Sequence, residues 1–383
     1  MLKQINIKLV LQFVLATVGL TGLLSGCSTL SDLKNARKSF QVGNLWVYQT
    51  TKDVQTKYRK INRMSPVLFN DLVIQANSVD GLVALKRSNS RLVWRLDIQN
   101  GVEAPIAVDK NKIYFGANDG QVYSVDAETG NVLWTYPVRV ETLSEPLVAD
   151  GVVYVLTGNN TLYALDAETG KQKWVYSRID PSNLSIRGGS KPLIKGNNLY
   201  AGFSDGAIVS LNPANGAVKW ERALNRNKRF KDIDSNPVVD GEFLYLLGFD
   251  DSVYCLRAAT GEIVWKFERG GYGSVLITGN RLVFASTFEE VIALEKDTGK
   301  QLWVYKLSDG IATSPSLFKG MVVFGESSGA LVFADSGSGK RISDFYPGRG
   351  VFSKPTVDEA KNEVYFISNE ANLYKIQAKW GYR

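Results

Sequence analysis

Asp126-Ala-Glu-Thr-Gly-Asn-Val-Leu-Trp134 and Asp166-Ala-Glu-Thr-Gly-Lys-Gln-Lys-Trp174 stand 40 residues apart, identical up to the glycine and ending on the same tryptophan. Looser copies run Asn212 to Gly216 with Trp220, Arg257 to Gly261 with Trp265, and Glu295 to Gly299 with Trp303. Two degenerate copies flank them: Lys86 to Ser90 with Trp94, and Asp335 to Gly339 with Ser343 in the tryptophan slot. Each part of the phrase has a mechanical reading. The aspartate can bond turn amides, and the glycine supplies a positive-φ turn position. The tryptophan begins the next strand with a large apolar plate able to pack against a neighbouring unit.

Working outward, an x-Pro-apolar start precedes each copy, at Pro66, Pro105, Pro146, Pro192, Pro237, Val275 in place of proline, Pro315 and Pro355. Between start and phrase lie short runs such as Val152-Val-Tyr-Val-Leu156 and Thr161-Leu-Tyr-Ala-Leu165, bounded by Gly, Asn and Asp, which read as strands. Units of about 40 residues holding four short antiparallel strands are the pattern of β-propeller blades. Eight starts predict eight blades in an all-β chain. Apolar spacing of three and four, which a helical solenoid needs, is missing from residues 60 to 380, and no Trp-Asp dipeptide supports a WD-type ring. The tryptophan-docked phrase resembles the pyrroloquinoline-quinone-repeat propellers. The last unit stops at Arg383 before a proper fourth strand, whereas Val42-Gly-Asn-Leu-Trp-Val-Tyr48 looks like the tail phrase around Trp134. The N-terminal strand is therefore expected to complete blade eight and leave no open edge.

The first residues form a separate object. Lys3 and Lys8 precede an apolar run, Leu9 to Leu24, and Leu24-Ser-Gly-Cys27 follows. A run of that length falls short of the roughly 20 residues that span a bilayer, so it reads as a secretion signal. The Leu-Ser-Gly-Cys stretch resembles a bacterial lipobox, which implies cleavage before Cys27 and its lipidation; by the same resemblance, Ser28 after the cysteine implies sorting to the outer membrane. The expected division is residues 1–26 as signal, 27–41 as lipidated tether and 42–383 as propeller. Removing residues 1–26 takes away two lysines and no acid, leaving 43 basic and 38 acidic residues, a net charge of +5. The early basic residues, Lys34, Arg37, Lys38 and those from Lys52 to Arg63, read first as a solvated tether and second as attraction to anionic lipid.

Little in the chain points to catalysis. Without a histidine, Ser-His-Asp and Cys-His catalysis and imidazole metal sites are excluded. After lipidation of Cys27 only Cys255 remains, so no intramolecular disulfide can form. Cys255 occupies the slot held by Ala164 and Ala293 in other units and reads as a small buried apolar side chain. The acid pairs Asp250-Asp251 and Glu289-Glu290 fall at turns and read as solvated, and Gly188-Gly189, Gly270-Gly271 and Gly348-Arg-Gly350 lack a strand-to-helix setting for phosphate. A quinone-dependent periplasmic dehydrogenase is the enzymatic alternative; such enzymes are larger and commonly carry adjacent cysteines, which this chain lacks. No cofactor is expected.

Irregularity is concentrated in two joints. From tail tryptophan to next start the distances are 11, 12, 10 and 12 residues for Trp94, Trp134, Trp265 and Trp303, but 18 from Trp174 and 17 from Trp220. Equivalent joints of a propeller emerge on one face, so the two long loops should be neighbours. The first carries Leu184, Ile186 and Arg187; the second carries Arg229, Phe230, Asp232 and Asp234. Apolar anchors with arginine and acids suit a protein-binding hot spot, while the plainer reading folds Leu184 and Ile186 back onto their blades.

With the lipobox, eight blades, the Leu-Ser-Ile-Arg loop and the later Asp-x-Asp, the whole chain resembles the BamB family of the outer-membrane β-barrel assembly (BAM) machinery. That resemblance implies a non-enzymatic scaffold lipoprotein at the periplasmic face of the outer membrane. It implies docking onto the POTRA domains of a BamA-like insertase through Leu184, Ile186, Arg187, Asp232 and Asp234, with indirect links to other BAM lipoproteins. Ile186 departs from the leucine usual there and keeps its size. Unfolded outer-membrane proteins are a further partner, more weakly implied, and a glycan- or peptide-binding envelope propeller is the remaining alternative.

Overall fold

A computed structural model describes residues 38–52, 62–179, 189–224, 232–233, 235–249 and 252–382. One compact unit spans residues 42–378; a second contains the described ends 38–41 and 379–382.

Residues 42–378 form an eight-bladed β-propeller. Blade 1 consists of Val67–Phe69, Leu72–Asn77, Gly81–Lys86 and Leu92–Asp97, in that spatial order, each strand antiparallel to the next. Six further four-stranded sheets repeat the meander, beginning at Ala107, Leu147, Leu193, Val238, Leu276 and Ser316, one or two residues beyond each predicted start. Blade 8 takes three strands from the C-terminus, Thr356–Asp358, Glu363–Ile367 and Asn372–Tyr382, and its outer strand from the N-terminus, Lys38–Gln49. The closing strand is longer than the seven residues from Val42 to Tyr48 that resemble a tail phrase. Second and third strands are buried almost throughout, because both their faces meet neighbouring blades. In the second unit, Phe40 packs edge-on to Trp380, ring centroids 5.3 Å apart.

The repeated phrase is the joint between blades. Asp166 Oδ1 accepts bonds from Thr169 N and Thr169 Oγ1, both 2.9 Å, so the turn is tied by its own side chain. Gly170 sits at φ +69°, and a Cβ there would lie 2.7 Å from Trp134 of the preceding blade. The absent side chain is where the indole rests. Trp134 Nε1 donates to Ala167 O at 3.0 Å, and Tyr114 Oη donates to the same carbonyl at 3.2 Å. The same indole-to-turn bond recurs from Trp94 to Ala127, Trp174 to Pro213, Trp220 to Ala258, Trp265 to Lys296 and Trp303 to Ser336, all between 2.9 and 3.1 Å.

Across its own sheet each tryptophan faces a small residue: Ala84, Ser124, Ala164, Ser210, Cys255 or Ala293. Cys255 is accordingly buried and free, and burial pushes its thiol up to about 12. Blade 7 inverts the sizes, pairing Phe333 with Ser343. A tryptophan there would find no turn to dock on, since the third strand of blade 8 runs on from Ala378 to Tyr382 instead of reversing.

Candidate functional site

The two long joints enter and leave on the same face, and their described ends are bonded to each other. Where the first joint begins, Arg178 donates from Nε and Nη2 to Asp205 Oδ2 at 2.8 and 2.6 Å, and from Nη2 to Glu221 Oε1 at 2.8 Å. Its Nη1 donates to Tyr176 Oη at 3.0 Å, and the guanidinium lies 5.5 Å from the Phe203 ring centre. Glu221 belongs to the strand Val218–Ala223, the last element before the second joint. One arginine therefore clamps the start of one loop to the approach of the other. The Arg178 bond holds Glu221 below the usual carboxylate range against the opposing push of burial.

The far ends of the joints meet as well. Ser190 Oγ donates to Ser235 O at 2.7 Å and Lys191 N to Asn236 Oδ1 at 2.8 Å. Ser235–Asn236 pairs in parallel with Gly273–Ser274, extending the contact toward blade 6. Ile233 is 1% exposed, donates its N–H to Phe203 O at 3.1 Å, and fills the space beside Gly202, whose added Cβ would sit 2.5 Å from it. Gly189 lies just as close to Ser144: a Cβ there would be 2.9 Å from that residue. Between these stems lies a cleft of about 20 Å³ bordered by Asn160, Ser190, Ser204 and Asp232. Its volume suits a water molecule and excludes an organic ligand.

Of the residues expected at this site, Leu184, Ile186, Arg187 and Asp234 lie outside the described residues, as do Arg229 and Phe230. Asp232 is described and is 2% exposed, with its backbone carbonyl accepting from Phe249 N at 3.2 Å. Its position is that of a residue built into the loop base. Sequence reasoning missed Arg178, Asp205 and Glu221. The available signal was position alone, since Arg178 follows a strand end and begins an overlong joint, but Asp205 is 27 residues away and not predictable as its partner. Among the described residues no group of three or more His, Cys, Asp or Glu could hold a metal ion.

A family model described as outer membrane protein assembly factor BamB matches residues 78–286 and 249–342. The chain belongs to the BamB family. The BamB of Salmonella typhimurium is 28% identical over 88% of this chain and 92% of its own length, and that of Shewanella oneidensis is 27% identical over 78% and 81%. The crystal structure of BamB from Moraxella catarrhalis superposes with a TM-score of 0.75 at 22% identity, covering 88% of this chain and all of that one. A quinohemoprotein alcohol dehydrogenase from Comamonas testosteroni reaches 0.73 at 15% identity over 88% of this chain and 76% of its own. The likeness to that enzyme is one of fold. BamB membership makes the chain an assembly factor and leaves no argument for a dehydrogenase.

Proposed function

We propose that the chain works as a lipid-anchored scaffold in outer-membrane protein assembly, held by Cys27 at the periplasmic face and docked onto POTRA domains of a BamA-like insertase. BamB family membership supports the assembly role, and the lipobox-like Leu24-Ser-Gly-Cys27 supports the anchor. The observation that carries the docking site is the mutual bracing of the two long joints by Arg178, Glu221, Ser190 and Ser235. Loops braced at both ends present their tips with less ordering cost on binding, which raises affinity without further contacts.

In this reading Leu184 and Ile186 are apolar anchors and Arg187 makes charge-assisted bonds to the partner. Asp232, buried at the base, supports the loop from within, and Asp234 serves as an acceptor for the partner. Addition of a client strand to a blade edge is a weaker extension; the outer strands carry half-exposed apolar residues such as Val132 and Leu133. The test is capture of soluble POTRA domains by wild type and by Arg187→Ala. Loss of a central arginine anchor should weaken capture at least about tenfold. Equal capture by both proteins would refute the site, and no capture by wild type would refute the docking role.

A further inference from the structure

Seven of the chain's eight tryptophans donate their indole N–H to a backbone carbonyl of the following turn. Trp380 is the eighth, and among the described residues it makes no such bond. It is 47% exposed, and Tyr382, two residues on, is 71% exposed. Both belong to the unit that holds residues 38–41 and 379–382, where the strands Lys38–Gln49 and Asn372–Tyr382 lie side by side. Strand alternation gives this short ribbon two faces. Lys38, Phe40, Trp380 and Tyr382 share one of them: Lys38 Nζ lies 5.8 Å from the Trp380 ring centre, and Phe40 packs edge-on to the same ring. Gln41 and Gly381 are on the other, with Ser39 and Lys379; a Cβ on Gly381 would lie 2.8 Å from Gln41 Nε2. One face is therefore aromatic with a lysine at its margin, and the other is polar.

The described residues of the ribbon include Lys38 and Lys379 and no acid, and the sequence just before it adds Lys34 and Arg37. Neither Lys38 nor Lys379 has an ion-pair partner among the described residues. Rings with one apolar body and one polar edge, bordered by cations, match the headgroup layer of an anionic bilayer, where tryptophan and tyrosine concentrate. A second copy of the chain fits poorly. It would set lysine against lysine, and two half-open rings fall far short of the roughly 1,200 Å² that a specific protein contact buries. The covalent chain points to lipid as well: only eleven residues separate Cys27 from Lys38, a reach of about 40 Å at most. An acylated Cys27 keeps the ribbon at high local concentration beside the membrane, so weak intrinsic affinity suffices.

We propose that this ribbon is a membrane-contact site, with Trp380 and Tyr382 lodged at headgroup level in an anionic bilayer and Lys38 and Lys379 on lipid phosphates. The choice of lipid as occupant rests on the Cys27 anchor proposed above. A tether alone limits distance. The ribbon adds a second contact that fixes how the first described strand meets the bilayer.

Co-flotation of the full mature chain, carrying Cys27→Ser so that no acyl chain contributes, with vesicles of phosphatidylethanolamine and phosphatidylglycerol tests this. The protein should partition onto them, more weakly onto phosphatidylcholine alone, and less as salt is raised. Trp380→Ser with Tyr382→Ser should weaken partitioning at least about tenfold with the melting temperature and POTRA capture retained. Lys38→Gln and Lys379→Gln should each weaken it roughly fivefold on the anionic vesicles. Lipids brominated near the headgroup should quench the fluorescence of the parent protein and leave that of Trp380→Phe unquenched. Val132→Ser with Leu133→Ser, which removes exposed apolar surface from an outer strand, should change nothing. No partitioning onto anionic vesicles, unchanged partitioning in the Trp380 and Tyr382 variant, or an equal loss in the Val132 and Leu133 variant would each overturn the proposal. Acylation of Cys27 and POTRA capture by the wild type are read separately, so failure of the anchor or of the docking role is distinguishable from failure of the ribbon.

Discussion

At Gly170 two demands meet on one atom. The backbone is left-handed, at φ +69°, and the space that a side chain would fill belongs to the Trp134 ring. Alanine would pay about 1 kcal/mol for the backbone and, by displacing a packed indole, about 1–3 kcal/mol more. Gly170→Ala should therefore lower the urea midpoint by the equivalent of about 2–4 kcal/mol. Blade 1 supplies the control, because Ser90 already holds φ +57° in the same slot. Ser90→Gly should be neutral or stabilising by up to about 1 kcal/mol; a loss there as large as that of Gly170→Ala would refute this account. The turn half of this was legible in the chain, since Asp and Gly act locally. The steric half was not, because the tryptophan that requires the glycine lies 36 residues before it, in another blade.

Among the elements, the closing strand Lys38–Gln49 has the largest consequence. Its Trp46 Nε1 donates to Arg87 O of blade 1 at 3.0 Å, the bond that Trp94, Trp134, Trp174, Trp220, Trp265 and Trp303 each make to the following turn. Deleting residues 38–49 removes that bond and bares the edge of Asn372–Tyr382, an open template for pairing between molecules. The truncated chain should melt at least several degrees lower and aggregate on concentration; an unchanged melting temperature would refute closure by this strand. Its existence was readable from the Trp46 phrase, but its length was not. Where a strand ends depends on how far its partner runs, and Asn372–Tyr382 continues well past the turn position of other blades. The joints behave similarly. Their excess length is visible by counting residues, whereas the bracing of Arg178 by Asp205 and Glu221 exists only once three separated segments converge.

For the whole ring, blade 8 is the one blade assembled from N-terminal and C-terminal strands, and the chemistry of its seam with blade 1 differs from that of the other seven. Where other turns carry alanine, proline, lysine or serine, blade 1 has Arg87, 8% exposed, whose Nη2 bonds Asp358 and, at 3.1 Å, Glu363, and whose Nε donates to Tyr365 Oη at 3.1 Å. Lys375 bonds Glu363 at 2.7 Å and Arg87 O at 2.9 Å. Nothing in the repeat announces this cluster, since its members are ordinary charged residues until closure brings them within reach. Burial pushes both carboxyls up, but the bonds from Arg87 to Asp358 and from Lys375, Tyr365 and Arg87 to Glu363 outweigh it and hold both below their usual values. A carboxyl depressed on folding stabilises the protein fully above its unfolded value, near 4, and loses that contribution as pH falls through its folded value. Arg87→Met leaves two acids short of a partner in a mostly buried site and should cost about 3–5 kcal/mol at neutral pH. The same substitution removes much of the depression, so wild type and variant should converge as the medium is acidified from pH 5 to 3. Urea unfolding of both proteins across that range measures it: a gap that stays constant with pH would mean that Arg87 acts by packing alone, and the seam would then be held by its strands and not by its charges.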